Sequence, residues 1–236
     1  MNSEIIPKEA FITKDHIIKY MPEIELKMEK FNDTSWRAKF PFYPNVNYRN
    51  LQLSNIGAYS IISTDNSKLL INILNEINTQ YKFADQLSDL VITEANGGVG
   101  GFSIRLSRTF RKLNIVEISK LHVDILTHNL KVYNTNLTNI NIYNADYLDI
   151  LYDLKQDVIL FDLPWNGYKY KIKKNLYLGL NNINIWYIIN KLHEKNKFKV
   201  CIVMVPKNFD FQNFIINIES NVIIRRVDKH YYIIIL

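Results

Sequence analysis

Residues 158–168 run Val-Ile-Leu-Phe-Asp-Leu-Pro-Trp-Asn-Gly-Tyr, so an apolar stretch ends in Asp162, Leu163, Pro164 and Trp165. These residue types in this order suit chemistry at an exocyclic amino group on an aromatic ring. The Asp162 carboxylate and the Leu163 carbonyl ahead of the proline can both accept hydrogen bonds from one NH2 group, and the indole of Trp165 offers a flat face on which a nucleobase stacks. Such an amine is a weak nucleophile because its lone pair is delocalised into the ring. Two acceptors that bend the NH2 group out of plane free that pair for in-line attack on a methyl donor, and positioning then supplies most of the rate. A charge-assisted hydrogen bond to Asp162 is worth about 1.5–3 kcal/mol and stacking on Trp165 about 1–3 kcal/mol.

A place for the donor lies upstream. Glu94-Ala-Asn-Gly-Gly-Val-Gly-Gly101 is a glycine-rich turn after a strand, which lets a nucleotide-like cofactor approach the backbone, with Glu94, Asn96, Gly98 and Gly100 as the expected contacts. Glu117 ends the next strand about 20 residues beyond the turn, where a carboxylate accepts both ribose hydroxyls. Asp146 follows the third strand, where an acid can accept the adenine amino group, and Asp162 ends the fourth. Glycine between a strand and a helix is often there for packing alone; four such features at successive strand ends make a cofactor site. Nicotinamide would suit the glycines and the acid as well, but hydride transfer has no use for Asp162-Leu-Pro-Trp165. The cofactor expected is S-adenosylmethionine.

The elements that must position these residues alternate. Thr64-Asp65 starts a helix that runs to about Tyr81, with Leu69, Leu70, Ile73 and Leu74 on one face. Leu90 to Thr93 is strand-like, Gly101 to Lys112 helical, Leu113 to Glu117 strand and Ser119 to Tyr133 helical. Ile140 to Tyr143 is strand, Leu148 to Leu154 a short helix or turn, Asp157 to Asp162 strand, Asn182 to Lys195 helix and Lys199 to Val205 strand. Val222 to Val227 and Tyr231 to Leu236 form a hairpin. This pattern predicts an α/β fold, a doubly wound and mostly parallel sheet of Rossmann-like type finished by an antiparallel hairpin, the layout of a class I methyltransferase. Residues 1–58 are an irregular, aromatic-rich extension expected to cover the active site, and 59–236 the methyltransferase domain.

The chain has 236 residues, 47% of them apolar, a net charge of +6 and a single cysteine, Cys201. That length and composition suit one packed domain, exclude disorder throughout, and contain no run able to span a bilayer. The basic balance fits a polyanionic partner, discounted because Asn, Ile, Lys and Tyr usage resembles that of an AT-rich genome. One cysteine in an apolar strand forms no internal disulfide and fits an intracellular, reducing compartment, which cytoplasm, nucleus and virion all satisfy. The histidines lack metal-ligand spacing, so no metal is expected.

With these motifs in place, the stretch from about Tyr59 to Asp210 resembles the trimethylguanosine synthases, the cap-specific guanine-N2 methyltransferases. Tyr59-Ser-Ile-Ile-Ser-Thr-Asp65 is similar to the family's segment before its first helix, without its proline. Glu94 to Gly101 is similar to its Asp-Ala-Phe-Cys-Gly-Val-Gly-Gly turn, Asp162-Leu-Pro-Trp165 to its Ser-Pro-Pro-Trp, and Val205-Pro-Lys-Asn208 to its Leu-Pro-Arg-Asn. The resemblance implies an S-adenosylmethionine site that includes Thr64, a 7-methylguanine of capped RNA or a cap nucleotide stacked on Trp165, and Lys207 or Asn208 near the cap; Trp36 is the candidate for the pocket's other wall. Asp162 in place of serine also resembles adenine-N6 and cytosine-N4 methyltransferases on RNA or DNA. A catalytically silent, cap- or RNA-binding subunit is the third reading.

Overall fold

A computed structural model describes residues 6–13, 36–165 and 167–236. Eight α-helices are placed: α1 Trp36–Lys39, α2 Asn55–Ser60, α3 Thr64–Tyr81, α4 Ser103–Thr109, α5 Lys120–Val132, α6 Tyr147–Ile150, α7 Ile185–Glu194 and α8 Phe211–Asn217. The strands are β1 Val91–Glu94, β2 Lys112–Glu117, β3 Ile140–Asn144, β4 Val158–Phe161, the two-residue pieces β5 Gly179–Leu180 and β6 Ile183–Asn184, and then β7 Val200–Pro206, β8 Val222–Val227 and β9 His230–Ile235.

Seven strands form one sheet in the order β3-β2-β1-β4-β7-β9-β8. The five strands from β3 to β7 are parallel, whereas β9 runs antiparallel to both β7 and β8. The sheet is therefore the doubly wound one that the alternation of elements predicts. Its direction of winding reverses between β1 and β4, where a crevice opens at the carboxyl ends of the strands. Side chains alternate across the pleat, so Leu160 and Ile202 enter one core with Leu70 and Leu74 of α3 and Ile125 and Leu126 of α5. Ile159, Phe161, Cys201 and Val203 enter the other with Ile188 and Leu192 of α7 and Phe214 of α8.

Local chemistry sets the helix ends. The Ser63 hydroxyl accepts from the Asn66 N–H and starts α3, which Lys82 stops in the left-handed region at φ 56°. The chain departs from the sequence reading at several elements, among them α4, which ends at Thr109 so that Lys112 begins β2. The helix expected from Asn182 begins at Ile185, because Asn181 and Asn182, both at positive φ, make the two-residue turn joining β5 to β6. Helix α8, which apolar spacing over seven residues does not announce, caps its first turn with Asp210. The last strand starts one residue early, at His230, paired with Val227 and Pro206.

The described part of residues 1–58 joins both cores, with Phe40, Tyr48, Leu51 and Leu53 in the first and Ala10 in the second. The backbone N–H of Ile12 donates to the Asn182 carbonyl (2.7 Å), and the Tyr133 hydroxyl donates to the Pro41 carbonyl (2.7 Å). Of the described residues before 59, Ile56 alone faces the crevice. Fully buried Asn129 on α5 ties this segment down: its amide accepts from the Gln52 N–H and donates to the carbonyls of Gln52 and Val99, the latter within the glycine turn. Asn129→Ala strands three backbone groups at once and is expected to cost about 2–4 kcal/mol in chemical denaturation. A loss under about 0.5 kcal/mol, the range of ordinary surface changes, would show that this tether is dispensable.

Candidate active site

The crevice at the carboxyl ends of β1, β2 and β4 is a cleft of about 870 Å3. That is at the upper end of what one small ligand fills, and it suits a cofactor with a second ligand beside it. The glycine turn forms its floor. Gly98 adopts φ +51°, and a side chain there would point into open space, so this face of the turn is backbone that a ligand can approach closely. Gly97 is required for a different reason, since a Cβ would lie 2.4 Å from Ile115 on β2.

Glu117, the last residue of β2, is held by two backbone amides: Gly98 N–H donates to Oε2 and Ser119 N–H to Oε1, each at 2.8 Å. One lone-pair position remains on each oxygen, the arrangement that two adjacent ribose hydroxyls require. His122 stands beside it, with Nδ1 3.9 Å from Oε1 and Nε2 3.1 Å from the Ser54 hydroxyl. The next residue, Ile118, lines the cleft with 68% of its surface exposed. An apolar side chain left uncovered next to Glu117 is a flat surface suited to a planar ring. Asp146 accepts from the Leu148 N–H at the start of α6 and, through Oδ2, from the Asn181 side chain at 2.7 Å, so the β5–β6 hairpin closes over this end of the cleft.

Two carboxyl groups sit deeper. Glu94 is 1% exposed and takes a hydrogen bond from the Ser103 hydroxyl. Burial, reinforced by the neighbouring Asp162 and Glu117 charges and opposed by that hydrogen bond, raises its pKa well above the usual carboxylate range. Asp162, just past β4, is pushed up to about 7 by burial. Leu163, Pro164 and Trp165 continue along the same wall, Leu163 buried in the second core and Trp165 packed against both. The Trp165 ring meets Tyr170 at 5.3 Å and His230 at 5.0 Å, both tilted edge to face. With Glu94, Glu117, Asp146 and Asp162 on its walls, the cleft favours a cationic occupant, as a sulfonium with a free ammonium group is.

Of the residues singled out from sequence, Glu94, Asn96, Gly98, Glu117, Asp146, Asp162, Leu163, Pro164 and Trp165 share this one cleft. Four do not line it. Thr64 is occupied by Arg105, whose guanidinium donates to its hydroxyl (3.0 Å) and its carbonyl (3.3 Å), and the neighbouring Ser63 and Asn66 line the cleft instead. Gly100, at φ +99°, accepts from the Ile104 N–H through its carbonyl and serves the turn into α4. Lys207 is exposed on the turn after β7. Asn208 donates to the carbonyls of Tyr170 (2.7 Å) and Lys173 (2.8 Å), and so fixes the loop that brings Lys171 to the cleft rather than touching it directly. The Trp36 side chain lies outside the described part of the structure. Sequence reasoning missed Ile118 and Asn181, which adjacency to Glu117 and the Asn-Asn turn could have signalled, and His230, which only the β7–β9 pairing brings here.

A family model described as RNA cap guanine-N2 methyltransferase matches residues 90–232. An uncharacterized protein of Acanthamoeba polyphaga mimivirus is 35% identical over 150 residues, 62% of this chain and 58% of that protein, so the chain spans a little over half the length of this relative. Among solved structures, a T. thermophilus 16S rRNA N2 methyltransferase in complex with AdoMet and guanosine aligns at TM-score 0.53 and 13% identity over 72% of this chain and 42% of that one. A precorrin-6y C5,15-methyltransferase of Geobacter metallireducens aligns at 0.53 and 14% over 82% and 97%. At these identities the two structures share the fold. Among the described residues no helix is long and apolar enough to cross a membrane, and no cluster of acids, His or Cys is arranged to hold a metal ion.

Glu117→Ala removes both the proposed ribose acceptors and the anchor of Gly98. It is expected to weaken S-adenosylmethionine binding by about 30- to 100-fold in calorimetry. Affinity within threefold of the parent's would take Glu117 out of the cofactor site.

Proposed function

The chain belongs to the RNA cap guanine-N2 methyltransferase family, and from that premise we propose that it transfers a methyl group from S-adenosylmethionine to the exocyclic N2 amine of a 7-methylguanosine cap. The observation that carries this reading is the single cleft in which Asp162-Leu-Pro-Trp165 faces the glycine turn, with Glu94, Glu117 and Asp146 beside it. S-adenosylmethionine, when bound, supplies a methyl group made electrophilic by a sulfonium.

The chain's own residues do the rest. Glu117 takes the ribose, Ile118 and Asp146 the adenine, and the Gly98 face of the turn leaves room for the chain between them. Trp165 receives the base, more tightly if the ring carries the delocalised positive charge of 7-methylguanine. The Asp162 carboxylate and the Leu163 carbonyl accept from the target NH2 and turn its lone pair toward the methyl carbon. The nitrogen would form the new N–C bond as the methyl C–S bond breaks and its electron pair stays on a neutral thioether, and the proton the nitrogen sheds passes to the Asp162 carboxylate, which a pKa near 7 equips to take it and release it to water. Aspartate in place of the family's serine thus adds a proton acceptor to an acceptor of hydrogen bonds. It also keeps an adenine-N6 or cytosine-N4 target as the second reading. Labelled methyl transfer to 7-methylguanosine triphosphate, GTP and uncapped RNA discriminates between them: label in the first alone supports the cap reading, and label only in uncapped RNA replaces it with the second.

The raised pKa of Asp162 sets a pH dependence. The group is protonated below its pKa and ionised above, and the transfer uses the ionised form. The kcat/KM for S-adenosylmethionine, which reports the groups of the free protein, should therefore rise through about pH 7, level off above about pH 8, and fall about tenfold per unit below about pH 6. A flat profile from pH 5.5 to 8.5 would contradict this role. Trp165→Ala should lower affinity for the cap nucleotide by about 10- to 100-fold while sparing S-adenosylmethionine, as measured by titration of each ligand separately.

A further inference from the structure

His230 is the first residue of β9, and its ring packs against Trp165 at 5.0 Å and 67°. It lines the cleft together with Asp228 of the same hairpin. Its Nδ1 is sealed inside the protein and has no partner among the described residues. With Nδ1 sealed, only Nε2 is left to serve the cleft that the residue lines.

Two physical arguments fix what that nitrogen offers. Burial holds the imidazolium pKa below the usual value, against a smaller upward pull from Asp228 and alongside the Lys229 charge, so the ring is neutral and carries one N–H. A buried N–H without an acceptor is rarer and costlier than a buried lone pair without a donor, which places the proton on Nε2. The cleft therefore presents a neutral donor next to the indole that receives the base. We infer that His230 is a specificity-determining residue of the base pocket, donating Nε2–H to an acceptor on the purine edge such as the 6-oxo group of guanine.

This rests on the reading of the cleft as a base methyltransferase site, and it adds what Asp162 and Leu163 do not provide. Those two groups accept, and an amine of guanine, adenine or cytosine satisfies them alike. A donor at His230 pairs with a 6-oxo purine and meets a second donor in a 6-amino purine, leaving two N–H groups opposed. Stacking on Trp165 cannot make that distinction, because every base has a π-face.

The test compares 7-methylguanosine triphosphate with the 7-methyl-2,6-diaminopurine analogue, which keeps the 2-amino group and replaces the 6-oxo group by an amine. The parent enzyme is expected to favour the guanine compound by about tenfold or more in kcat/KM. His230→Phe keeps a ring against Trp165 but has no donor; it should raise KM for the guanine compound about tenfold, affect kcat less, and bring the two substrates within about twofold of each other. His230→Gln, which restores an N–H donor, should recover part of the preference. S-adenosylmethionine affinity, read by calorimetry, should stay close to the parent's in both variants and reports that they are folded. Equal use of the two substrates by the parent, or a preference that survives in His230→Phe, overturns the role of His230 while leaving the cap reading in place. No transfer by the parent to either compound overturns the cap reading and this inference with it.

Discussion

Gathering acidic side chains at the carboxyl ends of neighbouring parallel strands, in a place largely closed to water, is the constraint on which the site depends. Ionised carboxylates there repel one another and lose hydration, so the isolated protein keeps protons on the most buried of them. Glu94 and Asp162 both show the raised pKa that this requires. Glu117 avoids the cost differently, by taking two backbone amides. A cation entering the cleft reverses the balance: it compensates the carboxylates and draws the buried ones toward ionisation. A sulfonium donor and a positively charged base both satisfy that demand, so the electrostatics of the cleft match the chemistry proposed for it.

The scaffold exists to hold that arrangement. Because β1 and β4 are adjacent and parallel, the glycine turn and the Asp162-Leu-Pro-Trp165 segment, distant in sequence, leave the sheet side by side. Continuous apolar strands buried on both faces give the sheet its rigidity, and Asn129 anchors the glycine turn through the Val99 carbonyl. Two hairpins then complete the cleft from outside the parallel core. The β5–β6 tip brings Asn181 onto Asp146, and the β8–β9 turn brings His230 onto Trp165. The first thereby fixes the orientation of the Asp146 carboxylate.

What was legible in the sequence was whatever local chemistry determines. Alternating apolar strands and helices announced the doubly wound sheet, and the run of glycines and the acids at successive strand ends announced walls that the structure brings together in one cleft. Residues placed by long-range pairing were not legible. His230 looks like part of a connection until β9 is laid against β7, and the hold of the Asn208 amide on the Tyr170 and Lys173 carbonyls is equally invisible until the loop and the turn after β7 meet. Thr64 sits in a motif that does reach the cleft, but Arg105 claims its hydroxyl, and neighbours on the same turn take the position. Helix α8 was missed because seven residues give the apolar period too little length to declare itself.

If Asp162 orients and deprotonates the amine rather than merely lining the cleft, Asp162→Asn must slow the chemical step itself, which single-turnover methyl transfer reads once the affinity of each ligand has been measured separately. The amide is close in size to the carboxylic acid and keeps one accepting oxygen, but it takes up no proton and carries no charge. Both ligands are expected to bind within about threefold of the parent while transfer slows by about 100-fold or more, the scale of a lost general base. Transfer at the parent rate with both ligands bound would leave Asp162 no more than a wall of the cleft.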